Sequence, residues 1–456
     1  MTSLSETSIL SGSSGVSTGF TLDQSIRFND DDSAYLSKTW SGAGDKTKFT
    51  FSCWVKRGNI TSRQCLLSFR QDVPLEFEAD DTLRVFLFGG TALNTNRVFR
   101  DPAAWYHIVL SVDSTAGIGP ERVRLYINGV RETSFSATSY PSQNATANIY
   151  TSSLENYIGR IVNSTYYFDG YMAEIHFTDG YSYGPEYFGE FKEDTNIWTP
   201  KEVSEVTYGT NGYHIDGRDS GDLGDDESGN GNDFTSNNFA ANDQVLDSPT
   251  NNHGVFNYLE KDLRYSTTLS NGNKTITFPS GSSGYSGTRL GLFRSNGKAY
   301  AEFKVGQAYS HTNGDGITVF VCDKTQDPVS AGGGQNSSYT GSYTALDGII
   351  YAGGSNQGTG TTWNSVDAVI GVYIDFDSGK GWFSKDGTVQ TVNGTPNVSN
   401  GTNPHFTFTA NETLTVGAGG VHYGTVGIVT LQNHVDEWST TPTGYTPFST
   451  LAEGVA

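Results

Sequence analysis

Hydrophobic and polar positions alternate with a period of two along most of this chain, which is the signature of strands with one face in a core. The clearest block is 368–387, AVIGVYIDFDSGKGWFSKDG, where Ile370, Val372, Ile374 and Phe376 alternate with Val369, Gly371, Tyr373 and Asp375. Asp377-Ser378-Gly379 then turns the chain, Trp382 and Phe383 open the next strand, and Lys385-Asp386-Gly387 suits a tight hairpin. Earlier, Phe49–Val55 alternates cleanly, and Trp105–Asp113 sets Tyr106, Ile108, Leu110 and Val112 on one face. Val123, Leu125 and Ile127 do the same before Asn128-Gly129, a strong short-range hairpin signal. In Phe168–Gly180 the alternation turns Ala173, Ile175 and Phe177 inward and leaves Glu174 and His176 outside. Further strands are predicted at Ser25–Phe28, Thr275–Phe278, Ala299–Val305, Gly316–Val321 and Pro404–Phe408.

Short strands at this spacing, with turn residues between them, predict an all-β chain. The expected organisation is two β-sandwich (jelly-roll) domains in tandem, at 23–182 and 251–456, with a Gly/Asp/Asn-rich connector or insertion at 183–250. Residues 1–22 form a Ser/Thr/Gly-rich arm too polar to fold alone, either a loose tail or a strap for a neighbouring subunit.

Composition agrees with this pattern. The 456 residues include 55 Gly, and charged residues make up 17% against about a quarter in ordinary globular domains. The 28 Lys and Arg face 49 Asp and Glu, a formal charge of −21 that argues against nucleic acid and anionic membranes as partners. Cys53, Cys65 and Cys322 are too few for a disulfide framework or a cysteine zinc site, and Cys53 falls on an apolar strand face as a buried thiol. The N-terminal stretch lacks the basic residues and apolar run of a signal peptide, and no run approaches the roughly 18 apolar residues of a membrane span. Synthesis in a cytoplasm without export by the usual signal is therefore expected.

The series SIRF, FTFSCWVKR, WYHIVLSVD, VRLYINGV, YIGR and FDGYMAEIHFTDG resembles a laminin-G-like, concanavalin-A-type jelly roll over 23–182. The pieces KAYAEFKV, GITVFVCD, DAVIGVYIDFDSGKGWFSKDG and HFTFTANETLTVGAGG resemble a SPRY domain over roughly 251–450. Their order, with SGNGNDFT and DSPTNN between them and PTGYTPFSTLAEG at the close, is similar to virion structural proteins of tailed bacteriophages. That resemblance implies a virion surface protein, a tail fibre or other host-recognition appendage binding host surface glycans. The alternative it leaves open is a capsid decoration or head-fibre protein without a specific ligand. The implied partners are other virion proteins through the N-terminal arm and further copies of this chain, a trimer being common for such appendages.

Candidate chemistry is sparse. Glu76, Glu78 and Asp80 alternate as glycosidase acids would, but no Trp or Met flanks them and a solvated strand end is the simpler expectation. No G-x-S-x-G elbow occurs, and the eight His are scattered, with His107 and His176 expected as surface residues. Catalysis is not expected. Aromatic faces beside amides and carboxylates suit sugars, whose apolar CH patches are ringed by hydroxyls. Tyr166, Tyr167, Asp169 and Tyr181 crowd the end of the first sandwich, with Tyr171, Tyr183 and Tyr187 nearby, though tyrosines also fill edges and interfaces. By analogy with SPRY domains, the loops at 331–343 and 354–364 are candidate binding loops, with Trp363 as anchor. Asp222, Asp225, Asp226 and Asp233, with Asn230 and Asn232, are candidate calcium ligands, although the EF-hand spacing is absent and a solvated turn cluster is the favoured reading. No other cofactor is expected.

Overall fold

Strand-forming residues in alternation leave little for helices, and the computed structural model is built almost wholly of sheet. It describes residues 20–40, 42–69, 74–150, 155–161, 166–193, 195–260, 267–280, 284–308, 316–326, 328, 339–421 and 426–450. Contacts divide the chain into two compact units, with the division between Asn251 and Asn252.

The first unit begins with β1 (Ser25–Phe28), β2 (Tyr35–Thr39), β3 (Lys48–Arg57), β4 (Gln64–Ser68), β5 (Pro74–Phe77) and β6 (Thr82–Leu87). It continues with β7 (Gly90–Val98), β8 (Trp105–Asp113), β9 (Val123–Ile127), β10 (Val130–Arg131), β11 (Phe135–Thr138), β12 (Glu155–Ile158) and β13 (Gly170–Asp179). Five short strands follow: β14 (Gly189–Phe191), β15 (Trp198–Pro200), β16 (Tyr213–Ile215), β17 (Thr235–Asn237) and β18 (Gln244–Val245). The front sheet runs β10-β9-β8-β3-β13-β1-β18 with β16 also on β13, and the back sheet runs β11-β7-β6-β5-β4-β12-β2-β17. Phe49, Phe51, Cys53 and Val55 of β3 meet Leu36, Phe77, Leu83 and Val85 of the back sheet in one core. Asn128 and Gly129 both take positive φ (48° and 77°), as the tight turn between β9 and β10 requires.

The stretch 183–250 is not a connector. Its β16, β17 and β18 extend the two sheets, and its Tyr213, Ile215, Leu223 and Phe234 enter the first core. Isolated from their partners these segments show no alternation, because each contributes only two or three residues to a sheet edge. The motifs noted in the sequence are the latches. Asn230 and Asn232 donate through their side-chain amides to the carbonyls of Gly209, Thr210 and Gly212, pinning the loop that leads into β16. In DSPTNN, Asp247 receives buried Lys56 at 2.7 Å and the Trp105 indole N–H at 3.1 Å, while Ser248 donates to the Leu22 carbonyl. Of the expected arm, residues 1–19 lie outside the described residues; Phe20 and Leu22 pack with Trp54, Trp105 and Tyr171.

One strand departs from simple alternation. On β13, Ala173 faces Trp54 of β3 and His176 faces Ser52, so Glu174 and Ile175 together oppose Cys53. This is a β-bulge, and Glu174 takes φ +49° within it. The bulge resets the pattern: Met172, Ile175 and Phe177 are in the core, whereas Ala173, expected inward, joins the cluster outside it.

The second unit begins with β19 (Thr268–Ser270), β20 (Thr275–Phe278), β21 (Tyr285–Arg289), β22 (Lys298–Gln307), β23 (Ile317–Asp323), β24 (Gly341–Thr344) and β25 (Ile349–Ala352). It ends with β26 (Ser355–Thr359), β27 (Val369–Asp375), β28 (Lys380–Lys385), β29 (Thr388–Val389), β30 (Phe406–Thr407), β31 (Leu414–Val421) and β32 (Gly427–Gln432). Its sheets run β19-β20-β32-β22-β27-β28-β29, with β30 on β28, and β21-β31-β23-β24-β25-β26. Ile370, Val372, Ile374, Phe376 and Phe383 from the block at 368–387 lie at the centre of its core. The closing PTGYTPFST segment clasps β22: Thr446 exchanges backbone hydrogen bonds with Lys298 and Tyr300, and Phe448 enters the core.

Candidate functional site

The outer face of the back sheet in the first sandwich carries a continuous surface of aromatic and guanidinium planes. Alternation builds it. Leu75, Phe77, Leu83 and Val85 turn inward on β5 and β6, so Glu76 and Arg84, which face each other across the strands, turn outward. Arg63, just before β4, grips the Glu76 carboxylate with Nε at 2.7 Å and Nη2 at 2.9 Å. Arg84 holds the same carboxylate through Nε at 2.8 Å and through Nη2, and its Nε lies 2.6 Å from Glu78. The Tyr166 ring covers the Arg63 guanidinium at 4.5 Å. Beside it, Arg160 lies 4.4 Å from the Tyr35 ring, 5.0 Å from Tyr157 and 5.2 Å from Tyr167. A shallow depression continues from Glu78 and Arg84 past Asp80, Thr91 and Asn94.

Glu76 is fully buried under its two arginines, and four N–H groups occupy its oxygens. Two guanidinium charges on a buried carboxylate hold it as an ion-pair partner. Burial raises the Glu78 carboxyl above its ordinary value; the Glu76 charge adds to this, and Arg84 and Arg63 oppose it. Tyr166 is 37% exposed, and Tyr35, Tyr167, Arg63, Arg84 and Arg160 are partly exposed, so ring faces and forked donors are open to a ligand.

The expected binding residues do not form one site. Tyr166 and Tyr167 do come together on this face, through Arg63 and Arg160. Asp169 is buried, with its backbone carbonyl accepting from Gly58 N–H, and cannot reach a ligand. Tyr181 is exposed but follows β13 of the front sheet, where it stacks on Tyr183 at 5.9 Å. Trp363 is only 1% exposed: it packs on Tyr343 in the second core, because its indole completes that core instead of capping a loop. Of the loop expected at 331–343, residues 331–338 lie outside the described residues. The sequence reading missed Arg63, Arg84, Arg160, Tyr35 and Tyr157. The signal for Tyr35 and Tyr157 was that each directly precedes an inward residue, Leu36 and Ile158.

The acidic loop is a turn scaffold. Asp226 is buried, and its carboxylate accepts from the backbone N–H of His214 (2.8 Å), Ser228 (2.9 Å) and Asn232 (2.7 Å) and from the Ser228 hydroxyl (2.8 Å). Those four donors fill the places a calcium ion would need. Asp233 accepts from Asp226 N–H and Asp222 from Gly224 N–H, both as turn caps. Asp225 stands half-exposed, its carboxyl raised by burial and by Asp233 and Asp222.

A different group of metal-ligand types gathers on the front sheet. The bulge swings Glu174 to the outer side beside His176, and β16 sets His214 directly opposite His176. The two imidazoles stack at 4.1 Å, and Glu174 Oε2 lies 3.3 Å from His176 Nε2 and 3.1 Å from His214 Nε2. Burial works to raise the Glu174 carboxyl, but the close imidazoles of His176 and His214 outweigh it and hold the group well below the usual range. Burial, with the neighbouring His214, lowers His176 to about 4. Neither His107 nor His176 is a surface residue; each is 1% exposed. The segment after β13 covers them: Trp198 stacks on His107 and Phe188 lies against His176.

Residues 20–181 match a laminin-G-type family model described as the concanavalin A-like lectin/glucanases superfamily. No curated protein matches the chain. Among solved structures, the SPRY domain of human HERC1 is 17% identical, covers 39% of this chain and 96% of its own, and gives a TM-score of 0.29. A candidate carbohydrate-binding protein from Bacteroides ovatus is 18% identical over 48% of this chain and 59% of its own, with a TM-score of 0.36. A further human SPRY domain is 18% identical, covers 36% of this chain and 94% of its own, and gives a TM-score of 0.27.

Proposed function

We propose that this protein is a non-catalytic, glycan-binding component of a tailed-bacteriophage virion surface, as a tail fibre or another host-recognition appendage. The observation that carries the binding claim is the outer face of the back sheet, where Tyr166 lies against Arg63, itself fixed by Glu76, and Tyr167 and Tyr35 lie against Arg160. A pyranose ring laid on such a surface meets apolar planes under its CH groups and forked N–H donors at its hydroxyls. Because carboxylate and cation–π contacts already hold the guanidiniums, little side-chain entropy is lost on binding. The match of residues 20–181 to a superfamily of lectins and glucanases supports a sugar as ligand. The placement on a virion is supported by the order of jelly roll, SGNGNDFT, DSPTNN and closing PTGYTPFST. In this reading the N-terminal arm joins other virion proteins, and copies of the chain associate, a trimer being the expected form.

The test is a glycan array with the full chain, followed by binding to bacterial cells that display the best glycan. Saturable binding that free glycan competes away, and that Tyr166→Ala weakens, supports the reading. No binding to any glycan or cell, with the protein still incorporated into particles, replaces it with a structural decoration role.

A further inference from the structure

We propose that Glu174, His176 and His214 form a binding site for one divalent transition cation, zinc by the character of its ligands. The site is independent of the glycan surface, since it lies on the other sheet. Two imidazole nitrogens and one carboxylate oxygen are a three-ligand set that suits zinc with a fourth position left for water.

The distances agree with that chemistry. Ligand atoms about 2.0–2.1 Å from a tetrahedral centre stand about 3.3 Å from one another. Glu174 Oε2 already lies 3.3 Å and 3.1 Å from the two Nε2 atoms, and the ligand atoms all lie within 4.8 Å of one another. His176 Nε2 is buried and out of line for a hydrogen bond in spite of that proximity, so a cation would satisfy a nitrogen that nothing else satisfies. The Glu174 and His214 side chains keep 11% and 14% of their surface, which leaves a rim for entry and for a bound water.

The surroundings hold the ligands in place. His176 Nδ1 is 2.9 Å from the Tyr208 hydroxyl, the outer contact that orients a metal-bound imidazole. Asp226 fixes His214 through its backbone N–H. Glu174 reaches the site only because of the bulge and its positive φ, a strained conformation for a residue with a side chain. The two rings now stack 17° from parallel, and binding turns them about χ2, a broad and soft torsion, until both lone pairs converge. The ion would tie β13 to β16 and so fasten the added segment to the front sheet.

The full-length protein, stripped with chelator and dialysed, is titrated with CoCl2 and then with ZnCl2. One equivalent of Co2+ giving intense visible bands of tetrahedral nitrogen–oxygen coordination, displaced by Zn2+, is the expected result. His214→Gln and Glu174→Gln should each weaken binding by at least about tenfold, and Tyr208→Phe by about tenfold, as outer-contact losses do. His434→Gln, in the second sandwich, should bind as the unaltered protein does. If a site variant fails to fold, the Co2+ spectrum of the unaltered protein decides alone. A weak octahedral spectrum, or stoichiometric binding that survives both His214→Gln and Glu174→Gln, overturns the proposal and leaves the cluster as a hydrogen-bonded carboxylate between two imidazoles.

Discussion

Lowering the pH from 7 to 5 should destabilise both sandwiches, because each encloses a histidine in surroundings that admit only the neutral ring. In the second sandwich, His405 Nδ1 accepts from the Phe383 backbone N–H at 2.9 Å, and Nε2–H donates to the Gln390 carbonyl at 2.7 Å. In the first, His107 Nδ1 accepts from the Trp198 indole at 2.9 Å. An indole is a donor only, so Nδ1 is bare and Nε2–H donates to Ser52 Oγ at 2.8 Å. A proton arriving at either Nδ1 would face another N–H. Burial lowers His405 to about 4; burial, with the charge of His176 adding, lowers His107 to about 3.

Both folded values lie below the roughly 6.5 of an unfolded chain, so the unfolded state binds more protons in acid. The stabilising contribution is therefore whole above that value and is lost as pH falls toward the folded one. Between pH 7 and 5 the loss is about 1.5 units at 1.36 kcal/mol each, or about 2 kcal/mol per histidine. Ordinary carboxylates contribute little above pH 5. Urea unfolding at pH 7, 6 and 5, followed by hydrogen exchange in the strands of each sandwich, measures the loss. His405→Gln, which keeps a donor toward Gln390 but cannot titrate, should start less stable and lose about 2 kcal/mol less in the second sandwich across the same range. Equal losses in the variant and the unaltered protein, or a flat profile, would refute the reasoning.

Three further predictions concern the first sandwich. Asp226→Asn should cost about 1–3 kcal/mol by unpairing buried backbone donors, whereas Asp222→Asn and Asp225→Asn should stay within about 0.5 kcal/mol, and added CaCl2 should not raise the melting temperature of the unaltered protein. A fragment ending at residue 182 should fail to give a cooperative melt, while one ending at Asn251 should melt cooperatively, because Tyr213, Ile215 and Phe234 complete the core. Gly212→Ala would drive its Cβ into the Tyr208 carbonyl oxygen, so thermal unfolding should show a loss of about 1–3 kcal/mol.

Strands with both faces well specified were legible in the sequence. Phe49–Val55, Trp105–Asp113 and the block at 368–387 alternate because one face meets a core, and the Asn128-Gly129 and Asp386-Gly387 turns sit where positive φ is needed. Of the back-sheet strands between Gln64 and Val98 only an end at Glu76–Asp80 was read, and as solvated, whereas Glu76 is buried, neutralised by Arg84 across the strands and by Arg63. The bulge at Glu174 was invisible for a similar reason: one extra residue leaves the composition of a strand unchanged while moving Ala173 to the other face. His107 and His176 were read as exposed because alternation gives a side of the sheet and says nothing of what covers it. The cover, residues 184–200, has no alternation of its own. Tyr166 and Tyr167 were legible as candidates, but the arginines that organise them come from 63 and 160, and only the fold brings those together.

The most direct test of the account is the affinity of the full chain for its best array glycan, measured by calorimetry beside the Tyr166→Ala and Arg160→Ala variants. The account predicts saturable binding that each substitution weakens by about tenfold, in line with a partly exposed anchor, with little change in melting temperature. Binding of undiminished strength in both variants, or no binding to any glycan, would contradict it.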